Sequence, residues 1–214
     1  MINQLLMSKI NARLPLQHNV NITQGKIAIP VGISNRHVHL SRQDIDALFG
    51  QGYQLTPLKE LKQPGQYAAK ECVLVVGSKG SLSKVRVLGP ERSTSQLEIS
   101  KADCYALGVK APIRGSGDLA GSGDALLVGP AGHTHLTSQV ICAQRHIHMS
   151  TLDARSLNVT DGQIVQVKNE GLRSLVFDQV VIRVSPHFTL EFHIDTDEAN
   201  AAGLSNNDSV FIVS

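Results

Sequence analysis

Short β-rich runs, separated by glycine and polar turns, dominate the pattern of this chain. Lys26-Ile27-Ala28-Ile29-Pro30-Val31 is one such run. Val73-Leu74-Val75-Val76 and Val85-Arg86-Val87-Leu88 are two more, and Gly77-Ser78-Lys79-Gly80 between them predicts a hairpin. Ile164-Val165-Gln166-Val167 and Phe177 to Val184 repeat the arrangement around Lys168 to Gly171. Helical signals are brief. Ser41 caps an expected helix over 42–49, and Ser150 caps another over 151–156. At the N-terminus, Ile2, Leu5, Leu6, Ile10 and Leu14 fall at helical spacing, with Lys9 and Arg13 on another face, before Pro15 ends the segment. A polar linker, Gln17 to Gly25, follows. The pattern predicts two β-rich units with a few short helices.

The chain also says one thing twice. Arg36-His37-Val38-His39-Leu40-Ser41 returns as Arg145-His146-Ile147-His148-Met149-Ser150. In a strand, alternate residues share a face, so each His-x-His presents two imidazoles together. A duplicated hexamer with apolar spacers reads as two matched metal half-sites. The repeat continues into later strands, where Gln96-Leu97-Glu98-Ile99 aligns with Glu191-Phe192-His193-Ile194 and sets Glu98 opposite His193. Two three-ligand sets are therefore expected: His37, His39 and Glu98 in one, and His146, His148 and His193 in the other. Imidazole and carboxylate donors suit Zn²⁺, and three ligands with an open position mark catalytic rather than structural zinc. Asp195, two residues beyond His193, is expected to support that ligand from behind.

Composition narrows the classes. The 214 residues suffice for one large domain or two small ones, with 42% hydrophobic and 4% aromatic content and no Trp. Aromatic platforms for nucleic acid are therefore not expected, and a net charge of +2 does not call for a nucleic-acid or membrane partner. No apolar run nears the roughly 20 residues that span a bilayer, and the start lacks a secretion signal. Cys72, Cys104 and Cys142 form no Cys-x-x-Cys and are expected as buried, inert thiols of a cytoplasmic protein.

Weaker constellations remain. His133-Thr134-His135 follows Gly129-Pro130-Ala131-Gly132, has no counterpart in the repeat, and is expected on an exposed loop. The glycine-rich 115–123 stretch lacks the Gly-Lys-Ser/Thr ending of a nucleotide loop and reads as a flexible connection near the active site. Arg92, six residues before Glu98, suits a forked grip on phosphate.

These residues carry a resemblance. Residues 34–41, Tyr53-Gln54-Leu55-Thr56-Pro57-Leu58, Gln63-Pro64-Gly65-Gln66-Tyr67-Ala68, Leu107-Gly108-Val109-Lys110-Ala111-Pro112, Ser116-Gly117-Asp118-Leu119-Ala120-Gly121, residues 145–150 and residues 191–200 resemble the PduL-type phosphate propanoyltransferases. The resemblance runs from about Ile29 to Ser214 and leaves out residues 1–25. It implies an acyltransferase that moves a short acyl group, typically propanoyl, between coenzyme A and inorganic phosphate. It implies two zinc ions on the two sets named above, phosphate on Arg92, and a coenzyme A face that includes Ser34, Lys59, Arg86, Asn200 and His193. It also implies a mainly β fold of two pseudo-symmetric β-barrels: residues 26–35 plus 144–214 in one, 36–143 in the other, and 1–25 as helix and linker. A homodimer and a place in propanediol degradation are further implications, in the cytoplasm or the lumen of a bacterial microcompartment. Residues 1–20 would then be a peptide that docks on shell proteins, although the same stripe suits a helix packed on its own barrel or on a dimer mate.

Two other classes compete. A zinc hydrolase of thioesters or acyl phosphates would use metal-bound hydroxide, but Ser41 and Ser150 stand where the His-x-His-x-Asp-His run of metallo-β-lactamase-type hydrolases needs Asp. A metal-stabilised scaffold module would leave the open ligand sets and Arg92 without a purpose.

Overall fold

The computed structural model describes residues 22–23 and 26–213. The expected N-terminal helix and most of the linker lie outside these residues. A two-stranded ribbon of β1 (Ile22–Thr23) and β2 (Lys26–Ile27) leads in. The run expected as one strand over 26–31 divides at Ala28, and β3 occupies Ile29–Ser34.

The chain then builds the barrel that holds its middle residues. Its members are β4 (His37–Ser41), β6 (Tyr67–Val76), β7 (Ser81–Arg92), β8 (Gln96–Glu98), β10 (Gly123–Val128) and β11 (His133–Ala143). The order β10-β11-β8-β4-β7-β6 closes through the β10–β6 pairing, while β5 (Pro57–Glu60) pairs β6 and β9 (Ile113–Arg114) pairs β11. The hairpin expected at 77–80 is present, with Val76 opposite Ser81 and the Gly77 amide donating to the Gly80 carbonyl. The second closed barrel runs β12-β14-β13-β16-β3-β15, from β12 (His146–Met149), β13 (Ile164–Asn169), β14 (Val176–Val184), β15 (Glu191–Asp195), β16 (Ser209–Ile212) and the early strand β3. Among the described residues, closure pairs every barrel strand on both sides, and only the short β5 and β9 attached to the first barrel keep a free edge. The fold is mainly β, with two six-stranded barrels.

Four helices are described: α1 (Arg42–Phe49), α2 (Lys101–Leu107), α3 (Thr151–Leu157) and α4 (Thr196–Ala202). Ser41 and Ser150 cap α1 and α3 as their sequence requires, each accepting from the backbone three residues on. The sequence reading passed over α2 and α4. Each opens with a reciprocal capping box, Ser100 with Asp103 and Asp195 with Glu198, and each ends on a left-handed glycine, Gly108 and Gly203.

Each barrel has its own apolar cluster. Val38, Leu40, Val75, Val87, Leu97 and Leu127 are central to one, and Val31, Ile147, Met149, Ile182, Phe192 and Val210 to the other. Strand alternation then decides the site. Val38 and Leu40 turn into one core and Ile147 and Met149 into the other, so the four histidines of the hexamers take the opposite faces of β4 and β12.

Candidate metal centre

Both hexamers sit in the same local frame. β4 pairs parallel with β7 and antiparallel with β8, as β12 does with β14 and β15. In register, His37 stands opposite Glu98 and His146 opposite His193. Each His-x-His thus meets its third partner from a neighbouring strand, without any loop in between. The structure brings together His37, His39 and Glu98, and separately His146, His148 and His193, with ligand atoms of each set within 4.8 Å of one another.

The imidazoles are prepared in matching ways. His37 Nδ1 lies 2.8 Å from the Asn35 carbonyl, and His146 Nδ1 lies 2.8 Å from the Gln144 carbonyl. With that proton on Nδ1, Nε2 is the free donor atom in both rings. His39 Nδ1 and His148 Nδ1 are buried with no hydrogen-bond partner, whereas His193 Nε2 has the Glu191 carboxylate 3.1 Å away. A buried nitrogen without a partner is costly in a protein that leaves it so, and a metal ion would satisfy it. The residues present therefore fit the two metals the sequence implies.

Electrostatics agree. Burial, with neighbouring His37 and Arg92, lowers His39 to about 3, and burial with His193 lowers His146 to about 4. Burial with His146 and His193 also lowers His148. All three are neutral near pH 7, the form that ligates a metal. Burial favours neutral His37 as well, but the Glu98 charge and hydrogen bond outweigh it and raise its pKa. Burial pushes the Glu98 carboxyl up, and His37 and the other histidines nearby overcome this and hold it well below the usual carboxylate range.

A cleft of about 650 Å³ joins the two sets, with His37, His39, Glu98, His146, His148 and His193 all in its wall. Arg92 crosses into it: Nη2 lies 2.9 Å from His39 Nε2, and Nη1 donates to Ser116 Oγ at 3.2 Å. Ser116 belongs to the glycine-rich connection, which thus reaches the site. Arg183 enters the same cleft from β14, where it is paired with His148 as Leu88 is with His39.

Comparisons with known proteins bear on this geometry. The family described as phosphate propanoyltransferase matches residues 30–205. The chain belongs to that family. Curated relatives named phosphate propanoyltransferase agree. One from Thermotoga maritima is 57% identical over 86% of this chain and 89% of its own length, and one from Salmonella typhimurium is 56% identical over 83% and 85%. A third, from Rhodobacter capsulatus, is 49% identical over 97% of this chain and 96% of its own length, so similarity extends into the N-terminal segment, which the sequence reading had left outside the resemblance.

Within this family frame, the residues implied for coenzyme A fall in different places. Ser34, Lys59, Arg86 and His193 line the cleft. Arg86 is steadied by two carbonyls, donating through Nη1 to Ala69 at 3.0 Å and Lys70 at 2.7 Å. Asn200 is exposed on α4 and is not in the cleft wall, where Asn206 and Asn207 stand instead.

Several expectations need correction. Asp195 does not support His193. It caps α4, its carboxylate accepting from the Glu198 amide at 2.8 Å, because the strand ends there and the helix amides need an acceptor. The neighbour of His193 is Glu191, with Oε2 3.1 Å from Nε2. His133 and His135 are exposed as expected, but on strand β11 rather than a loop, since the tight 129–132 turn makes Val128 pair with His133. They join neither ligand set. Cys104 and Cys142 are buried with sulfurs 3.6 Å apart, and burial with the neighbouring Cys104 pushes the Cys142 thiol up to about 12. Cys72 is only half-buried.

Sequence reasoning missed Gln96, Ser116, Arg183 and Glu191. Gln96 and Glu191 carried a signal: each stands two residues before a third ligand, on the same strand face. Arg183 carried a misleading one: Arg183-Val184-Ser185-Pro186 resembles Arg86-Val87-Leu88-Gly89-Pro90, and Arg86 pairs with His37, the first histidine of its hexamer, whereas Arg183 pairs with His148, the second.

Proposed function

We propose that this chain is a phosphotransacylase that interconverts short acyl-coenzyme A plus phosphate with acyl phosphate plus coenzyme A, propanoyl being the foremost acyl group. The observation that carries the reading is the single cleft in which two three-ligand sets meet the Arg92 guanidinium. The names of the relatives support the same chemistry.

Arg92 and Arg183 offer two forked cations for one phosphate, and Ser116 fixes the Arg92 plane. A phosphate oxygen held there attacks the thioester carbonyl carbon. The new C–O bond forms, the C–S bond breaks, and the electron pair leaves on the coenzyme A sulfur, which takes a proton from solvent. Positioning both reactants in one cleft is itself a large part of the rate. His37, His39 and Glu98, and His146, His148 and His193, would hold zinc, which would supply Lewis acidity to the thioester there. Among the described residues, none of those lining the cleft is a cysteine, which supports direct attack over an acyl-cysteine. Ser34, Lys59 and Arg86 suit the phosphates and amides of coenzyme A, and Asn200 is the outlying member of that set.

The test is thiol release from a panel of acyl-coenzyme A thioesters, with and without phosphate, alongside metal analysis. Phosphate-dependent release by protein holding two metals per chain is expected. Full release without phosphate would make the protein a hydrolase. No bound transition metal, with activity indifferent to chelators, would remove the metals from the reading.

The same proposal places the enzyme as a homodimer in the cytoplasm or a microcompartment lumen, in propanediol degradation, with residues 1–20 addressing shell proteins. Among the described residues, no helix is long and apolar enough to cross a membrane. Deleting residues 1–20 should abolish co-localisation with shell proteins while activity and Tm stay unchanged. A fall in Tm or an altered oligomeric state would make the segment structural instead.

A further inference from the structure

The two ligand sets differ in charge. The first contains a carboxylate, Glu98, and the second is all imidazole. The residue two places earlier differs in the opposite sense. Gln96, paired with His39, donates from Nε2 to Glu98 Oε1 at 2.6 Å. Glu191, paired with His148, stands 3.1 Å from His193. Each site therefore holds one carboxylate and one neutral side chain on its third strand, in exchanged positions.

The fold accommodates Glu191 deliberately in two further respects. It is only 6% exposed, and burying a carboxylate is costly unless it is paired. Its partner comes from the other barrel: Lys62 Nζ reaches Oε1 at 3.0 Å. The loop bearing Lys62 is itself clamped there, since Gln63 donates to the Thr189 carbonyl at 3.0 Å and accepts from the Thr189 amide at 3.2 Å. Room for the carboxylate comes from β3. Gly32 is paired with His193, and a Cβ at Gly32 would stand 2.5 Å from the Glu191 carboxyl carbon and 2.6 Å from Oε1. Gly32 has no positive φ, so its backbone does not require glycine. What requires glycine is the space that Glu191 occupies.

We propose that Glu191, seated on Gly32 and pinned by Lys62, is the positioning residue of the second metal site: it orients His193 and supplies beside that site the negative charge that Glu98 supplies within the first. A carboxylate behind a ligating histidine fixes the ring and strengthens it as a donor. The inference rests on the two-metal reading above and adds to it a residue outside both ligand sets.

The experiment measures zinc per chain, and its affinity, at buffered free zinc for wild type, Glu191→Gln and Gly32→Ala. Glu191→Gln keeps the shape and removes the charge. Loss of the carboxylate should weaken one of the two zinc equivalents about 10–100-fold and leave the other unchanged. Gly32→Ala, which touches neither charge nor ligand, should weaken the same equivalent by displacing the carboxylate. A His146→Ala background identifies the affected equivalent: only the first site remains there, and Glu191→Gln should not change its affinity. Thermal unfolding separates a structural role: the loss of the Lys62 pair shows in the metal-free proteins, and the further rise in Tm on adding zinc should shrink in Glu191→Gln beyond it. Two zinc equivalents of wild-type affinity in Glu191→Gln would overturn the inference and leave the metal reading intact. A wild type that binds no zinc would overturn both.

Discussion

The first and second ligand sets are alike in everything the backbone controls and unlike in what the side chains contribute. Both take two imidazoles from a central strand, steady the first through a backbone carbonyl, and meet a third ligand directly opposite it. Yet one third ligand is a carboxylate and the other an imidazole. Their surroundings diverge as well: His39 faces the Arg92 guanidinium, whereas His148 packs against the Phe188 ring at 4.3 Å. The difference teaches that a duplicated scaffold can keep its ligand geometry while the surroundings change. Arg92, Ser116 and Gln96 gather beside the first set, and the Phe188 ring with Arg183 over it packs beside His148 in the second.

The largest effects should come from breaking either set. His37→Ala or His148→Ala should remove one metal equivalent and most activity, because two remaining ligands rarely hold zinc at a catalytic site. Metal analysis with turnover checks this, and equal loss from both variants would show that neither set works alone. Arg92→Lys should come next. It keeps the charge but loses the forked contact and the tie to Ser116, so kcat/KM should fall by about 10²-fold, with the phosphate KM rising. Phe188→Leu, which removes the ring packed on His148 and Arg183, should raise the phosphate KM less than Arg92→Lys does. The smallest effect tests the exchange of charge. Glu98→His should weaken zinc at the first site by about 10–100-fold, and adding Gln96→Glu should recover much of that by rebuilding the second site's pattern. Zinc titration of the single and double variants reads it, and no recovery in the double would mean the two sites are not interchangeable.

Much of this centre was legible because it depends on strand alternation and duplication, which a sequence displays openly. The His pairs, the third ligands and α1, between Ser41 and Gly50, follow from local rules. α2 and α4 were not found because seven residues such as Lys101–Leu107 or Thr196–Ala202 show too little apolar periodicity, and only their capping boxes announce them. The Lys62–Glu191 pair joins residues of different barrels, and the Cys104–Cys142 contact spans 38 positions. No spacing rule reaches that far. Arg183 was obscured by register: the strand after the second hexamer is offset by two residues from its counterpart, enough to carry an arginine into the place of Leu88.

The placement of β3 has a consequence for how the molecule could be divided. Because this early strand completes the late barrel, the chain passes between barrels once at residues 35–36 and again at 144–145. Those two crossings carry the Asn35 and Gln144 carbonyls that hold His37 and His146. The connectors are therefore also the ligand mounts. A proteolytic nick or an inserted residue at either crossing would leave both cores intact and still misalign an imidazole, so catalysis would register damage there long before a melting curve did.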